Sequence, residues 1–347
     1  MMTLRHKIAQ MLIVGFAGHA LQDNSPVVTW LMRDGLGGVL LFDVDLQANT
    51  QGKNLQNISQ IKRLTYDLQQ YSVTAGNPLP LLIAVDYEGG AVDRLAQIPG
   101  CMKTMKACDQ ADLSKDAFQT EVGNMAFTLK DLGFNLNFAP VVDLHLNDQQ
   151  GIIGTLGRSF SNRPDVVARV AQSFVDTFRE QGILCAYKHF PGHGSAVGDT
   201  HQGFVDVTDT YQEGELEPYA KLLEHMEWPV MVMTAHVVNR LLDKSGLPAT
   251  LSYPILTELL RHQLGFDGVI VSDDLQMQAI SHHYSIDEAL KLTINAGADM
   301  LIFGNQWGAI TATEVVDRIE QLVLSGAILP ARIDESYQRV CHLKQAL

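Results

Sequence analysis

GILCAYKHFPGHGSAVGDTH, residues 182–201, joins a short apolar run to a loop rich in glycine, histidine and aspartate. The run, residues 182–187, is apolar throughout rather than alternating, which is typical of a parallel strand buried on both faces. A loop as polar as this one is not needed to end an apolar strand. Catalytic groups, however, concentrate in loops at rigid strand ends. The stretch therefore predicts a buried strand whose end carries chemistry.

Seven more apolar runs of this kind recur along the chain, most of them followed by a polar residue and then by a helix-like segment. The runs are residues 11–16, 38–42, 81–85, 134–142, 230–233, 269–271 and 300–303. Eight strands alternating with helices predict an α/β fold, a single-domain (β/α)8 barrel that spans residues 1–347.

A doubly wound sheet would also alternate strands and helices. We favour the barrel because the strand count is eight and because polar residues end nearly every strand. In a barrel these residues converge on one rim, where active sites lie. The strand-ending residues are Asp43, Asp86, Asp143, Lys188, His236, Asp273 and Asn305.

Helix signals separate the runs. Residues 164–181 begin with Pro164, a residue favoured at the first helical position, and Ser161 and Asn162 precede it as candidate caps. Ser285 opens a capping-box pattern. The predicted helices are residues 57–70, residues 164–181, the segment after Ser285, residues 309–324 and residues 331–347.

The charge balance limits the partners that the chain can have. It carries 25 basic and 39 acidic residues, a net charge of −14, which argues against nucleic-acid binding. No Lys/Arg run of the kind that binds anionic membranes is present, and no apolar stretch approaches the ~20 residues needed to span a bilayer. We expect a small-molecule substrate and neither nucleic acid nor membrane as a partner.

Cysteine usage and the N-terminus bear on the compartment. None of the four cysteines forms a CxxC pair, which fits a reduced cytosolic compartment. Residues 11–16, after Arg5 and Lys7, faintly resemble a signal peptide, but the run is short and no clear small-residue cleavage site follows it. We interpret it as a helix and then a core strand, and we expect a cytoplasmic monomer.

Two acidic segments could supply reacting groups. Asp273 and Asp274 end a strand, so that one can face the barrel mouth while the other caps the next helix, although both could instead be caps or ion-pair partners. Asp199 and His201 are two residues apart, and in an extended loop the carboxylate can bind one ring nitrogen and leave the other free. Such a pair is a candidate general acid/base or a structural staple of the loop.

Further polar residues near strand ends suit a polyol, because carboxylates accept from hydroxyl groups and arginine donates to them. Lys188 and His189 lie on the strand end that opens the long loop. Asp86 and Arg94 flank a Glu-Gly-Gly turn, and Arg158 lies in a glycine-rich loop where a surface position is the alternative. His193, between two glycines, is better explained by loop packing.

Motifs for metals and nucleotides are missing. The chain has no HExxH, no CxxC pair and no EF-hand loop, and the spacing of His189, His193 and His201 across a Pro-Gly loop proves little. The glycines form neither GxGxxG nor a P-loop, and no serine lies in a GxSxG elbow. We therefore expect no metal and no cofactor.

Taken together, these segments resemble glycoside hydrolase family 3, and within it the β-N-acetylhexosaminidase branch. KHFPGHG followed by D-x-H is highly specific to this branch, and the likeness runs over nearly the whole chain. The matching segments are KIAQMLIVGF (7–16), VDYEGGAVDRL (85–95), GRSFS (157–161), KHFPGHGSAVGDTH (188–201), MTAH (233–236), LGFDGVIVSDDLQM (264–277) and AGADMLIF (296–303).

The resemblance implies a role for each candidate residue. Asp273 would be the nucleophile of a retaining enzyme, and His201, paired with Asp199, its proton donor and later its base. Asp86, Arg94, Arg158, Lys188 and His189 would bind the sugar. The family usually has arginine directly after Glu-Gly-Gly, where this chain has Ala91. That departure leaves the substrate preference less defined than the reaction.

The function that the resemblance implies is the release of terminal β-linked N-acetylglucosamine, with cytosolic muropeptides of peptidoglycan recycling as the substrate. Most glucosidases of the family take their acid/base from a second domain; the length of this chain leaves no room for one, so we expect the loop of residues 190–201 to supply it. A phosphorylase of the same branch, with phosphate in place of water, and a non-catalytic sugar-binding barrel are the alternatives.

Overall fold

Eight parallel strands close into a barrel in chain order, each paired with its neighbours, which confirms the predicted (β/α)8 fold. The computed structural model describes residues 2–201, 203–224 and 226–347. The barrel strands are β1 (Leu12–Val14), β2 (Gly38–Leu40), β3 (Leu82–Val85), β4 (Leu136–Asn137), β5 (Leu184–Phe190), β6 (Met231–Thr234), β7 (Ile270–Asp274) and β8 (Met300–Phe303). Each of the eight apolar runs overlaps one of them.

The strands are apolar throughout because both of their faces are covered. Alternate side chains point into the barrel or outward against the helices. On β3, for example, Leu82 and Ala84 join the interior cluster, and Ile83 and Val85 join the outer one. This two-sided burial explains why the sequence shows continuous apolar runs instead of a period of two.

Helices and three two-stranded ribbons connect the barrel strands. The α-helices of the described ranges are Leu4–Gln10, Pro26–Arg33, Ile58–Thr74, Ala107–Ala111, Lys115–Asp131, Ile152–Thr155, Pro164–Glu180, Glu217–Glu224, Gln278–Ser281, Ile286–Ala296, Ala312–Leu324 and Pro330–Lys344. Pro254–Gln263 is a π-helix, and Glu213–Leu216 and Ala249–Leu251 are 3-10 turns. The ribbons pair Val44–Asp45 with Thr50–Gln51, Tyr87–Gly89 with Val92–Asp93, and Val205–Asp206 with Val237–Val238.

All five predicted helices are present, but one predicted cap is wrong. The capping box of Ser285 forms as expected. The helix Pro164–Glu180 begins after Arg163, which makes no side-chain cap, so neither Ser161 nor Asn162 caps it. Ser161 Oγ accepts instead from Arg163 N at 3.1 Å, a local turn that competes with capping. No helix in the described parts of the chain is both long and apolar enough to cross a membrane.

The last helix closes the N-terminal end of the barrel. Val340 and Leu343 join the interior cluster. Lys344 is buried beside them, and its Nζ donates to Gln10 Oε1 at 2.8 Å and to the Gly37 carbonyl oxygen at 2.7 Å, just before β1 and β2. Burial lowers the pKa of Lys344 to about 7, because these neutral oxygens replace only part of the hydration of an ammonium group.

Lys344 predicts a pH dependence of stability. Between pH 7 and the ordinary lysine pKa of about 10.5, the unfolded chain holds the Lys344 proton and the folded chain does not, so the free energy of unfolding rises with pH. We expect a contribution of up to ~1.4 kcal/mol per pH unit that Lys344→Met removes. Urea unfolding of both proteins at pH 7 and pH 9 measures the difference. Parallel pH profiles of the two proteins would contradict this assignment.

Candidate active site

A cavity of about 270 Å³ opens at the C-terminal end of the barrel strands. Seven of the eight predicted site residues line it, and they come from segments far apart in the chain. They are Asp86, Arg94, Arg158, Lys188, His189, His201 and Asp273. The eighth, Asp199, contacts His201. The structure thus brings all eight to one site, at the face of the barrel where active sites form.

A buried carboxylate, Glu88, holds two of the cavity's cations. Arg158 binds it through two parallel contacts, Nη2–Oε1 at 2.7 Å and Nε–Oε2 at 2.8 Å, and Lys188 Nζ lies 2.6 Å from Oε1. Lys188 Nζ also donates to Asp86 Oδ1 at 3.2 Å. Burial disfavours the charged carboxylate, but Arg158 and Lys188 outweigh it and hold the pKa of Glu88 far below its usual value.

Glu88 is a site residue that sequence reasoning missed. It is 3% exposed and lines the cavity beside Asp86. The sequence signal for Glu88 was its spacing from Asp86, because residues two apart in an extended segment lie on the same side. Gly89 and Gly90, which follow it, have φ angles of 106° and 62°, as the predicted tight turn requires. Ala91 on the same turn is exposed and does not line the cavity.

Asp143, after β4, orients His189. Its carboxylate accepts from the His189 backbone N at 3.1 Å and from the His193 backbone N at 2.9 Å, and it lies 2.8 Å from His189 Nδ1. Burial opposes the charge of Asp143, but His189 and His193 lower its pKa overall. His189 therefore keeps Nε2 for contacts in the cavity. Asp143 was predicted as a strand-ending residue but not as part of the site.

Asp273, in β7, is held as an anion. Burial raises its pKa, but the nearby His236, His189 and His201 lower it to about 2 overall. Its Oδ1 accepts from the Asp274 backbone N at 2.8 Å. At neutral pH Asp273 is therefore an ionised carboxylate in the cavity wall, a group that can attack an electrophilic carbon.

Asp274, the neighbour of Asp273, has a raised pKa where that of Asp273 is lowered. Burial raises its pKa to about 7, and Oδ1 accepts from Gln276 N at 3.0 Å in the turn that leads to the helix Gln278–Ser281. We expected one of these two acids to face the barrel mouth and the other to cap the next helix. That expectation is met only in part, because both acids line the cavity. Asp274 forms a hydrogen bond within the turn, but the N-cap residue of the helix Gln278–Ser281 is Met277.

Asp199 and His201 form a hydrogen-bonded pair at the cavity mouth. Asp199 Oδ1 lies 2.6 Å from His201 Nδ1 and accepts from the His201 backbone N at 2.9 Å, which leaves Nε2 free. Burial disfavours the imidazolium, but the bond to Asp199 and the charge of Asp273 raise the pKa of His201 above its usual value. Ala279 N donates to the Thr200 carbonyl oxygen at 3.3 Å, so the loop is docked over the cavity.

Arg94 lies on the opposite side of the cavity from this loop's anchor and is less firmly paired. Its Nη1 is 3.7 Å from Asp43 Oδ1, and its guanidinium lies 5.9 Å from the centre of the Phe42 ring. Burial raises the pKa of Asp43, and the charge of Arg94 opposes that rise. With donors still available, Arg94 can bind a hydroxyl or carbonyl oxygen of a ligand.

The arrangement can bind a polyol and react with it. The cavity combines an ionised carboxylate, an imidazole whose pKa is raised above its usual value, and cations paired with acids that accept from hydroxyl groups. In the described parts of the chain, no three His, Cys, Asp or Glu side chains are grouped so that they could hold a metal ion.

Comparisons with known proteins identify the family of the chain. Residues 3–343 match the family model described as glycosyl hydrolase family 3 N terminal domain. The chain is 37% identical over 288 residues to beta-hexosaminidase A of Pseudoalteromonas piscicida, which covers 78% of this chain and 46% of that protein. It is 33% identical over 360 residues to beta-hexosaminidase LpqI of Mycobacterium tuberculosis, which covers 98% and 82% of the two proteins.

A solved structure resembles the whole barrel. It is a glycoside hydrolase family 3 beta-N-acetylglucosaminidase from Paenibacillus sp. str. FPU-7, with a TM-score of 0.88 and 31% identity. The match covers 100% of this chain and 63% of that one. This chain therefore spans about half of the Pseudoalteromonas relative and under two thirds of the Paenibacillus structure.

The Glu88 cluster predicts a large loss of stability on substitution. Glu88→Gln leaves the buried Arg158 without its carboxylate and leaves Lys188 with Asp86 alone, and breaking a buried ion pair costs about 3 kcal/mol or more. We expect the free energy of unfolding in urea to fall by about that amount. Glu180→Gln, on an exposed helix end, is the matched control and should change it by less than ~0.5 kcal/mol. Equal stabilities of the two variants would refute the role of Glu88.

Proposed function

The chain belongs to glycosyl hydrolase family 3, and on that premise we propose that it is a retaining exo-β-N-acetylglucosaminidase. The observation that carries the proposal is the pairing of an ionised carboxylate, Asp273, with the Asp199–His201 dyad at one polar cavity. Relatives named beta-hexosaminidase, one of them aligned over 98% of the chain, support an N-acetylhexosamine as the substrate.

The shape of the cavity supports attack at a chain end. Leu40, Phe138, Met233 and Ile302 line it and belong to the packed interior of the barrel. A glycan cannot thread through that packed floor. One terminal sugar therefore enters, and the rest of the glycan extends out of the mouth, which corresponds to exo-hydrolysis.

The proposed sugar contacts follow from the charges of the cavity wall. Asp86 accepts hydrogen bonds from hydroxyl groups, while Arg94, Arg158 and Lys188 donate to hydroxyl or carbonyl oxygens of the sugar. His189 contributes Nε2 because Asp143 occupies its other nitrogen. Glu88 keeps Arg158 and Lys188 fixed before the sugar arrives, which lowers the ordering cost of binding.

In the first step of the proposed reaction, a carboxylate oxygen of Asp273 attacks C1 of the sugar. The glycosidic C1–O bond breaks, and its electron pair stays on the leaving oxygen, which takes the proton from His201 Nε2. A glycosyl-enzyme ester and a neutral leaving alcohol result. The bond to Asp199 and the charge of Asp273 outweigh burial and raise the pKa of His201, which favours the protonated form that this step needs.

In the second step, the now neutral His201 removes a proton from water while the water oxygen attacks C1. The ester bond to Asp273 breaks, which regenerates the carboxylate and the imidazolium. Two inversions at C1 give net retention. A histidine here takes the place of the second carboxylate of the usual two-acid scheme, and its pKa near neutrality suits both proton transfers.

We also propose a cytoplasmic muropeptide, in which N-acetylglucosamine is linked to 1,6-anhydro-N-acetylmuramic acid, as the natural substrate. The motifs shared with the β-N-acetylhexosaminidase branch support this proposal. The four unpaired cysteines fit a reducing compartment.

Replacing Asp273 and His201 separately tests the proposed mechanism. We expect Asp273→Asn to lower kcat at least ~1000-fold on every N-acetylglucosaminide, because the nucleophile is lost. His201→Ala should lower kcat/KM ~100-fold or more for methyl β-N-acetylglucosaminide and less for the 4-nitrophenyl glycoside, whose leaving group needs little protonation. His262→Ala, at an exposed site, is the control. Near-wild-type rates in either variant would overturn the assignment.

Product analysis in the same assays separates hydrolysis from the alternatives. NMR should show β-N-acetylglucosamine as the first product, at a rate that does not depend on phosphate. Sugar-1-phosphate as the main product in phosphate buffer would indicate a phosphorylase. Binding of N-acetylglucosaminides without turnover would indicate a sugar-binding barrel.

The pairing of Asp199 with His201 predicts how kcat/KM falls on the alkaline side of its pH profile. The first step needs protonated His201, so kcat/KM falls as the pH rises through the His201 pKa, which Asp199 helps to raise. Asp199→Asn removes this carboxylate, so the alkaline limb should move to lower pH. The profile of kcat/KM for methyl β-N-acetylglucosaminide measures it, with Asp165→Asn as an exposed control. An unmoved limb would contradict the dyad.

A further inference from the structure

Trp307 is a large apolar side chain left open at the mouth of the cavity. It lines the cavity, yet it is 43% exposed. Its ring centre lies 6.0 Å from that of His201, with the two planes tilted by 46°. Leu46 lines the same mouth and is 48% exposed. The mouth therefore presents an apolar surface above the polar side chains of the cavity wall, a combination that marks a binding surface.

Hydrogen bonds fix this surface although it is exposed. Gln306 Oε1 accepts from Leu46 N at 2.9 Å. Gln47 Nε2 donates to the Asn305 carbonyl oxygen at 2.9 Å. The loops after β2 and β8 are thus joined beside Trp307, so that its indole is presented from a rigid support and little ordering is needed on binding.

The position of Trp307 relative to the dyad identifies what it would contact. His201 Nδ1 is bound to Asp199, so Nε2 is the nitrogen that meets the glycosidic oxygen. The terminal sugar lies between the polar walls of the cavity, on the inner side of that oxygen. The first group on the outer side is the leaving sugar, and it must pass the exposed indole next to His201.

We propose that Trp307 and Leu46 form a platform for the pyranose ring of the leaving group. This inference rests on the proposed function and adds a second binding site to it. A pyranose ring presents C–H groups on its faces, and an indole offers a broad apolar surface to them. The cations of the cavity wall, Arg94, Arg158 and Lys188, are assigned to the terminal sugar in the proposed function. The apolar platform, rather than an ion pair, would therefore bind the leaving sugar.

Binding at this platform would act on the rate as well as on affinity. A leaving ring held against Trp307 keeps the glycosidic oxygen within reach of His201, so binding energy from a non-reacting part of the substrate favours the reaction. A substrate without that ring cannot use it. The effect of the platform must therefore depend on the leaving group.

Three substrates test the proposal with the whole chain. Chitobiose and N-acetylglucosaminyl-1,6-anhydro-N-acetylmuramic acid carry a second ring, and methyl β-N-acetylglucosaminide does not. For Trp307→Ala we expect kcat/KM to fall about tenfold or more on either or both disaccharides and less than about twofold on the methyl glycoside. The disaccharide with the larger loss identifies the leaving sugar that the platform fits. Trp307→Phe should recover part of that loss.

Methyl β-N-acetylglucosaminide distinguishes the ways in which the platform proposal could fail. It needs protonation by His201 as the disaccharides do, so an equal loss on all three substrates would mean that Trp307 only positions His201, and this overturns the platform. Unchanged rates on both disaccharides overturn it as well. Phe127→Ala, at an exposed aromatic on the outer helix Lys115–Asp131, is the matched control. If the wild-type chain turns over none of the three substrates, the proposed function itself fails and the platform with it.

Discussion

The closure of eight parallel strands is the constraint on which the rest of this structure depends. Parallel strands in a closed barrel all end at one rim, so residues far apart in the chain meet there without any local signal between them. Arg158 and Glu88 are 70 positions apart, and His189 and Asp143 are 46 apart. Each pair is in direct contact because the strands that carry them leave the barrel on the same side.

The rim gathers more charge than an apolar interior tolerates, and pairing makes this possible. Glu88 is shared by Arg158 and Lys188, and Asp143 accepts three contacts from the end of β5 and the loop that follows it. Such fully bonded networks are rigid, because a displaced member would leave its partner charged and unpaired. The groups of the proposed reaction lie among these charges. Burial opposes both charged forms, but nearby histidines lower the pKa of Asp273, and Asp199 and Asp273 raise the pKa of His201.

The sequence predicted the barrel and the composition of the site because both depend on local patterns. Runs that are apolar on both faces indicate parallel strands, and polar residues at strand ends indicate the rim. Glu88 and Asp143 were missed because their importance comes from remote buried partners that a single chain does not reveal. The cap at Ser161 was wrong because two local hydrogen bonds compete there and packing selects one. For Trp307 no motif existed, since its exposure at the mouth appears only in three dimensions.

The closure of the barrel by the last helix affects how substrate enters the cavity and how products leave it. Val340, Leu343 and Lys344 close the far end of the barrel, so for the described residues the doorway of the cavity lies at the C-terminal end of the strands. In the proposed reaction the leaving sugar must clear that doorway before water can reach C1, and the released N-acetylglucosamine must follow before another chain end enters. Departure of the first product thus precedes the second chemical step. Any sugar that lingers at the doorway competes with water for the bound glycosyl group.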